Sequence, residues 1–210
     1  MKRHGMSLIQ LMCIIALMIF TGAVLWPVTH RIPPERALCQ SNLKQIGLAM
    51  SQYTMDYDKR MPNVSLSGEA YGWADALQPY LKSTALYHCP TRTRLVADNT
   101  GQTNPKKLNY TDYWLNRNLS NLPAKNVTNA AQTICIGEGN DGFDLTTARY
   151  AVKSLPSTWL TDENSPAHRH VNLDGKNTFM NVLFMDIHVK ALRPETIVTS
   201  PSQAPTFALR

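Results

Sequence analysis

Lys2-Arg3-His4-Gly5-Met6-Ser7-Leu8-Ile9-Gln10 opens an apolar run that reaches Val28, and the reading of that run decides how the rest of the chain is read. From Met6 to His30 there is no Asp, Glu, Lys or Arg, and between Leu8 and Val28 only Gln10, Thr21, Gly22 and Pro27 are not plainly apolar. A helix rises about 1.5 Å per residue, so the run spans roughly 30 Å, the thickness of a bilayer's hydrocarbon core. The expectation is a transmembrane helix over 6–30. Lys2 and Arg3 precede it, and the positive-inside rule then puts the N-terminus in the cytoplasm and everything after Val28 outside.

A basic leader ending in Gly5, a large apolar residue, Ser7-Leu8-Ile9, a polar position and then apolar helix together resemble a type IV prepilin or a pseudopilin of type II secretion. The resemblance implies that a prepilin peptidase cuts between Gly5 and Met6 and methylates the new N-terminus. Met6 stands where the family usually has Phe, and both are large and apolar. Gln10 stands where the family usually has Glu, the assembly position that pairs with the N-terminal amine of a neighbouring subunit. Gln10 offers a neutral hydrogen bond, weaker than a charge-assisted one, which points to a minor rather than a major subunit.

The 210 residues suffice for one folded domain plus an anchor, and 43% hydrophobic with 17% charged residues is the composition of a chain that folds. The net charge of +6 includes Lys2 and Arg3. The other charges are spread without a basic block or an aromatic-basic interleave, so no nucleic-acid partner is expected.

Pro33-Pro34 break the first helix, and Pro34 can start a second, with Glu35 in its first turn. Cys39, Leu43, Ile46, Met50, Tyr53 and Tyr57 follow at helical spacing and form one apolar stripe, while Gln40, Lys44, Gln45, Ser51, Gln52 and Asp56 fall elsewhere on the wheel. The stripe is too short for a coiled coil, so it should pack on a sheet of the same chain. Trp73 to Lys82 reads as a short helix with Ala74, Leu77 and Leu81 on one face. Tyr110–Leu115 and Thr133–Gly137 read as strands, and 151–175 as mostly loop. Thr178–Met185 and His188–Leu192 read as a hairpin.

The words Cys39-Gln-Ser-Asn-Leu-Lys-Gln-Ile-Gly-Leu-Ala-Met, Gly72-Trp73-Ala74-Asp75-Ala76-Leu77, Cys89-Pro90, Arg169-His170 and Asn181-Val182-Leu183-Phe184-Met185-Asp186-Ile187-His188 are similar to those of a large bacterial group of pseudopilin-like proteins. That group usually has Gly at the position of Ile187, in an Asp-Gly turn. Ile disfavours the positive φ of such a turn, so the hairpin should keep its strands and change its turn.

Candidate chemistry is sparse. Cys39 and Cys89 are either a disulfide closing a long loop or two reduced buried thiols. Cys13 in the apolar run and Cys135 in a strand act as small apolar residues. His168, His170, Asp186 and His188 are zinc-type ligands, yet their spacing fixes no geometry, and hydrogen bonding to loop backbone explains them as well. Gly137 to Asp144 is a carboxylate-rich loop in which Asp141 and Asp144 resemble the late calcium loop of major pseudopilins. Turn chemistry alone also accounts for it. No GxSxG, P-loop or GxGxxG is present, so the chain is not expected to be an enzyme or to carry a cofactor other than calcium.

The expectation is therefore an α+β, pilin-like fold. A long N-terminal transmembrane and amphipathic helix packs on a small antiparallel β-sheet. The leader is 1–5, the transmembrane segment 6–30, the extracytoplasmic domain 31–194 and a loose tail 195–210. The resemblance implies a minor structural subunit of a type IV pilus-like or type II secretion-like filament in the bacterial inner membrane and periplasm. Its partners would be prepilin peptidase, other pilin-like subunits and inner-membrane lipid. The rivals are a membrane-tethered periplasmic binding or metal protein, and a soluble domain released by signal peptidase near Thr21-Gly22-Ala23.

Overall fold

With no charge to break it, the apolar run winds into helix α1 (Leu8–Thr29). Ser7 stands just before its first residue, and the Gln10 side-chain oxygen accepts a 3.0 Å hydrogen bond from the Ser7 backbone N–H. That is half of the reciprocal bonding of a capping box, in which the third helical residue reaches back to the cap. The computed structural model describes residues 7–29, 34–65, 71–91, 104, 110–140, 147–162, 165–171, 178–200 and 202–209. The chain divides into two units, Met1–Pro34 and Glu35–Arg210.

The expected transmembrane helix is corrected. Among the described residues no helix is long and apolar enough to cross a membrane. The apolar side chains described on α1 are exposed, Leu8 by 75% and Ile9 by 73%.

In the second unit, α2 (Pro34–Asp56) carries Glu35 in its first turn. Its stripe buries Cys39, Leu43, Ile46, Ala49 and Met50, with Tyr53 packed at the margin. Asp58 and Lys59 take φ of 50° and 59°, which ends the helix in left-handed backbone and leaves Tyr57 exposed. Gly47 lets α2 approach the sheet closely, since a Cβ there would lie 2.8 Å from Ile187 Cγ2 and 2.9 Å from Leu183 Cδ1. Helix α3 (Trp73–Leu77) and the 3₁₀ turn Gln78–Tyr80 replace the single helix expected over 73–82, and Ala74, Leu77 and Leu81 are buried.

The strands are β1 (Tyr113–Asn116), β2 (Ile134–Glu138), β3 (Ala151–Val152), β4 (His170–Val171), β5 (Thr178–Phe184) and β6 (Val189–Leu192). Their order is β3-β1-β2-β5-β4, with β6 also on β5. The expected antiparallel sheet is corrected to a mixed one, because β3 runs parallel to β1, Leu115 opposite Ala151. Strands β3 and β4 and helix α4 (Ser157–Thr161) lie in the segment expected to be loop. Two-residue strands are too short to show a period.

Both faces of the sheet are covered. Tyr113, Leu115, Ile136 and Leu183 pack with α2 and α3. Trp114, Met180, Val182 and Phe184 pack on the opposite side with Trp159 of α4 and Phe207. The tail expected to be loose is corrected as well. Phe207 is buried, stacks on Trp114 at 5.0 Å and lends its carbonyl to the Asn116 and Asn118 side chains. An aromatic side chain that finishes a core outweighs the proline-rich composition around it.

The β5–β6 hairpin keeps its register, Leu183 opposite Val189, but its turn runs against expectation. Ile187 sits at φ 69°. Its carbonyl accepts a 2.7 Å bond from Lys44 Nζ, and its side chain packs against α2 beside Gly47. Tertiary contact therefore holds a β-branched residue where local preference would place glycine, at a cost of order 1–3 kcal/mol.

Candidate functional site

Four chain segments converge on one buried point. Cys39 comes from the start of α2, Cys89 from the chain after the 3₁₀ turn Thr84–Tyr87, Glu138 from the end of β2 and His170 from β4. Tyr113 of β1 lies opposite Glu138 in the sheet. Cys39 and Cys89 are disulfide-bonded, with Cα atoms 5.2 Å apart. Glu138 is fully buried, and His170 is 4% exposed.

A buried carboxylate must find donors. Glu138 Oε2 accepts from the Asn181 backbone N–H at 2.7 Å, and Oε1 accepts from Asn181 Nδ2 at 2.9 Å. His170 Nε2 lies 2.9 Å from Oε2. Asn181 is itself fixed, since Gln40 Nε2 of α2 donates to its Oδ1 at 2.9 Å. The other His170 ring nitrogen, Nδ1, lies 3.3 Å from Thr91 Oγ1. Cys89 Sγ is 3.8 Å from Glu138 Oε1 and 3.9 Å from His170 Nε2, and its backbone N–H donates to Asp112 Oδ2 at 3.0 Å. Burial, together with Glu138 and Asp112, pushes the Tyr113 phenol well above its ordinary range, so it stays neutral beside them.

As a disulfide, the pair offers no thiolate, and the cluster is a covalent staple inside a buried polar network. Its donor set says more. The Cys39, Cys89, Glu138 and His170 ligand atoms all lie within 4.8 Å of one another, and all four residues are buried.

The histidine set expected from sequence does not converge. His168 bonds Thr178 Oγ1 through Nδ1 and the Trp159 carbonyl through Nε2. His188 pairs with Asp186 in the exposed hairpin turn and stacks on Phe184. His170 alone of that set reaches the cluster. Glu138, read in the sequence as the start of a turn, is the residue that reasoning missed. Its signal was a single acid at the end of an apolar strand. Gln10 lies on exposed α1, occupied by the Ser7 cap. Gly5, Met6, Asp141 and Asp144 lie outside the described residues. Burial pushes the Cys135 thiol up to about 12, which leaves it inert, and it lines a small cleft of about 90 Å³ with Gly47, Met50, Leu183 and Met185.

A family model described as a protein of unknown function, DUF1559, matches residues 35–183, more than two thirds of the chain. The chain belongs to this family. The match begins at the start of α2 and ends within β5, so it takes in Cys39, Cys89, Glu138, His170 and Asn181. No curated protein and no solved structure matches the chain.

Proposed function

We propose that this DUF1559 protein is a minor structural subunit, not an enzyme, of a type IV pilus-like or type II secretion-like filament, and that prepilin peptidase processes it between Gly5 and Met6. The observation that carries the reading is α1, a helix whose apolar side chains are exposed all round. A helix of that kind is stable only where other apolar groups surround it, and a bundle of like helices from neighbouring pilin-like subunits supplies them. Membership of a bacterial family often associated with pilin-like and type II secretion-like proteins supports the same reading. The Cys39–Cys89 disulfide supports a periplasmic or cell-surface setting for the domain, because disulfides persist in oxidising compartments.

In this reading, removal of 1–5 strips Lys2 and Arg3 from the helix that must enter the bundle. Gln10, bonded to the Ser7 N–H, gives a neighbouring amine only a neutral acceptor. Assembly then depends on subunits that carry a charge there. The test is intact mass and N-terminal sequencing of protein made in cells with a prepilin peptidase. A mature chain starting at N-methylated Met6 is expected. A chain that starts at Met1, or near Val24, would sink the proposal.

A further inference from the structure

We infer that Cys39, Cys89, Glu138 and His170 form a second state of the same cluster, a tetrahedral zinc-type site that fills when the disulfide is reduced. Two thiolates, an imidazole and a carboxylate are a zinc ligand set, and four is the coordination number of a closed site. Cys89 Sγ already lies 3.8 Å from Glu138 Oε1 and 3.9 Å from His170 Nε2, close to the edges of about 3.3–3.8 Å of a zinc tetrahedron, and opening the disulfide lets the two bonded sulfurs separate to about 3.8 Å around one ion. Cα atoms 5.2 Å apart let both sulfurs face one ion.

The surrounding bonds are those a metal site requires. A ligating histidine is oriented through its other ring nitrogen, and Thr91 Oγ1 lies 3.3 Å from His170 Nδ1, leaving Nε2 to face the cluster. A ligating carboxylate is held from behind, and Asn181, itself held by Gln40, does this for Glu138.

The conversion balances. An external dithiol donates two electrons and two protons and becomes a disulfide, while the Cys39–Cys89 bond opens to two thiols. Zinc displaces both thiol protons to solvent, the proton of the Glu138–His170 hydrogen bond moves to His170 Nδ1 facing Thr91 Oγ1 or leaves to solvent, and the ion takes the two thiolates, the Glu138 carboxylate and the imidazole Nε2. The Glu138–His170 hydrogen bond is exchanged for two metal bonds.

The full chain, reduced without oxygen by a phosphine and freed of metal, is titrated with zinc and with cobalt(II). About one zinc per chain is expected, and cobalt should give thiolate charge-transfer absorption with the visible bands of a tetrahedral ion. The disulfide form should bind none. His170→Ala and Glu138→Gln should each weaken binding at least ~10-fold, and Thr91→Ala about 10-fold with a shifted cobalt spectrum. Cys135→Ser should change nothing. If reduction loosens the fold, zinc should restore its near-ultraviolet circular dichroism, because binding and folding are linked. No zinc uptake by the reduced chain, folded or loosened, overturns the inference, and so does unchanged affinity in His170→Ala. The filament reading stands or falls separately on the N-terminus.

Discussion

Helices α1 and α2 are nearly equal in length, 22 and 23 residues, yet they meet their surroundings in opposite ways. The far more apolar α1 is exposed, while α2 buries Cys39, Leu43 and Ile46 completely. Apolar content alone does not send a helix into a domain's core. A stripe with polar flanks tells a sheet which face to cover, whereas a helix apolar all round offers no orientation and must be surrounded. The patterned helix completes the domain's core, and the unpatterned one leaves its described side chains exposed.

The largest effect expected from breaking that contrast is on the staple. Cys89→Ser, or reduction in metal-free buffer, should lower the domain's unfolding free energy by about 4 kcal/mol in the chain-entropy model, read as the urea midpoint. Truncation comes next. Leu43→Ala on α2 should cost about 3 kcal/mol, whereas Ile15→Ala on α1 should move the same transition by less than about 0.5 kcal/mol. Equal losses from the two would mean that α1 belongs to the domain's core. Gly47→Leu tests the close approach of α2 to the hairpin. Overpacking against Ile187 and Leu183 should cost roughly 1–3 kcal/mol despite the better helix propensity.

The smallest effect is at the turn. Burial raises the Asp186 carboxyl, but the side-chain and backbone hydrogen bonds from His188 together outweigh it and hold Asp186 below the usual range. That contribution is present above the unfolded carboxylate value near ~3.9 and is lost as pH falls through the lower folded value. His188→Ala should therefore cost under about 1 kcal/mol at pH 7 and nearly nothing at pH 2, measured as the difference in urea midpoints.

What the sequence made legible followed from periodicity. The α2 stripe was readable because its 4-and-3 spacing marks one covered face, and the β5–β6 hairpin because β-prone residues flank a short turn. Strand β1 was harder, since all four of its residues are buried and alternation vanishes when both faces of a sheet are covered. The Phe207 anchor was hidden by composition. The cluster was half visible. Cys39 and Cys89 stood out by type and His170 by its neighbours. Glu138 looked like turn chemistry because Gly137 and Gly139 flank it, and only the sheet register shows that it faces α2. Ile187 was misread because local preference carries no knowledge of Lys44 and Gly47.

The placement of the disulfide has a mechanical meaning. Cys39 lies near the N-terminal end of α2, and α1 precedes α2 in the chain. A tug on the chain ahead of Cys39 meets a covalent bond before it can unwind the buried part of α2. The load passes through the disulfide to Cys89, whose N–H is bonded to Asp112 just ahead of β1, and through the Gln40–Asn181 bond into β5. The domain is thus gripped near the point where traction would enter, and peeling from that end stops at Cys39.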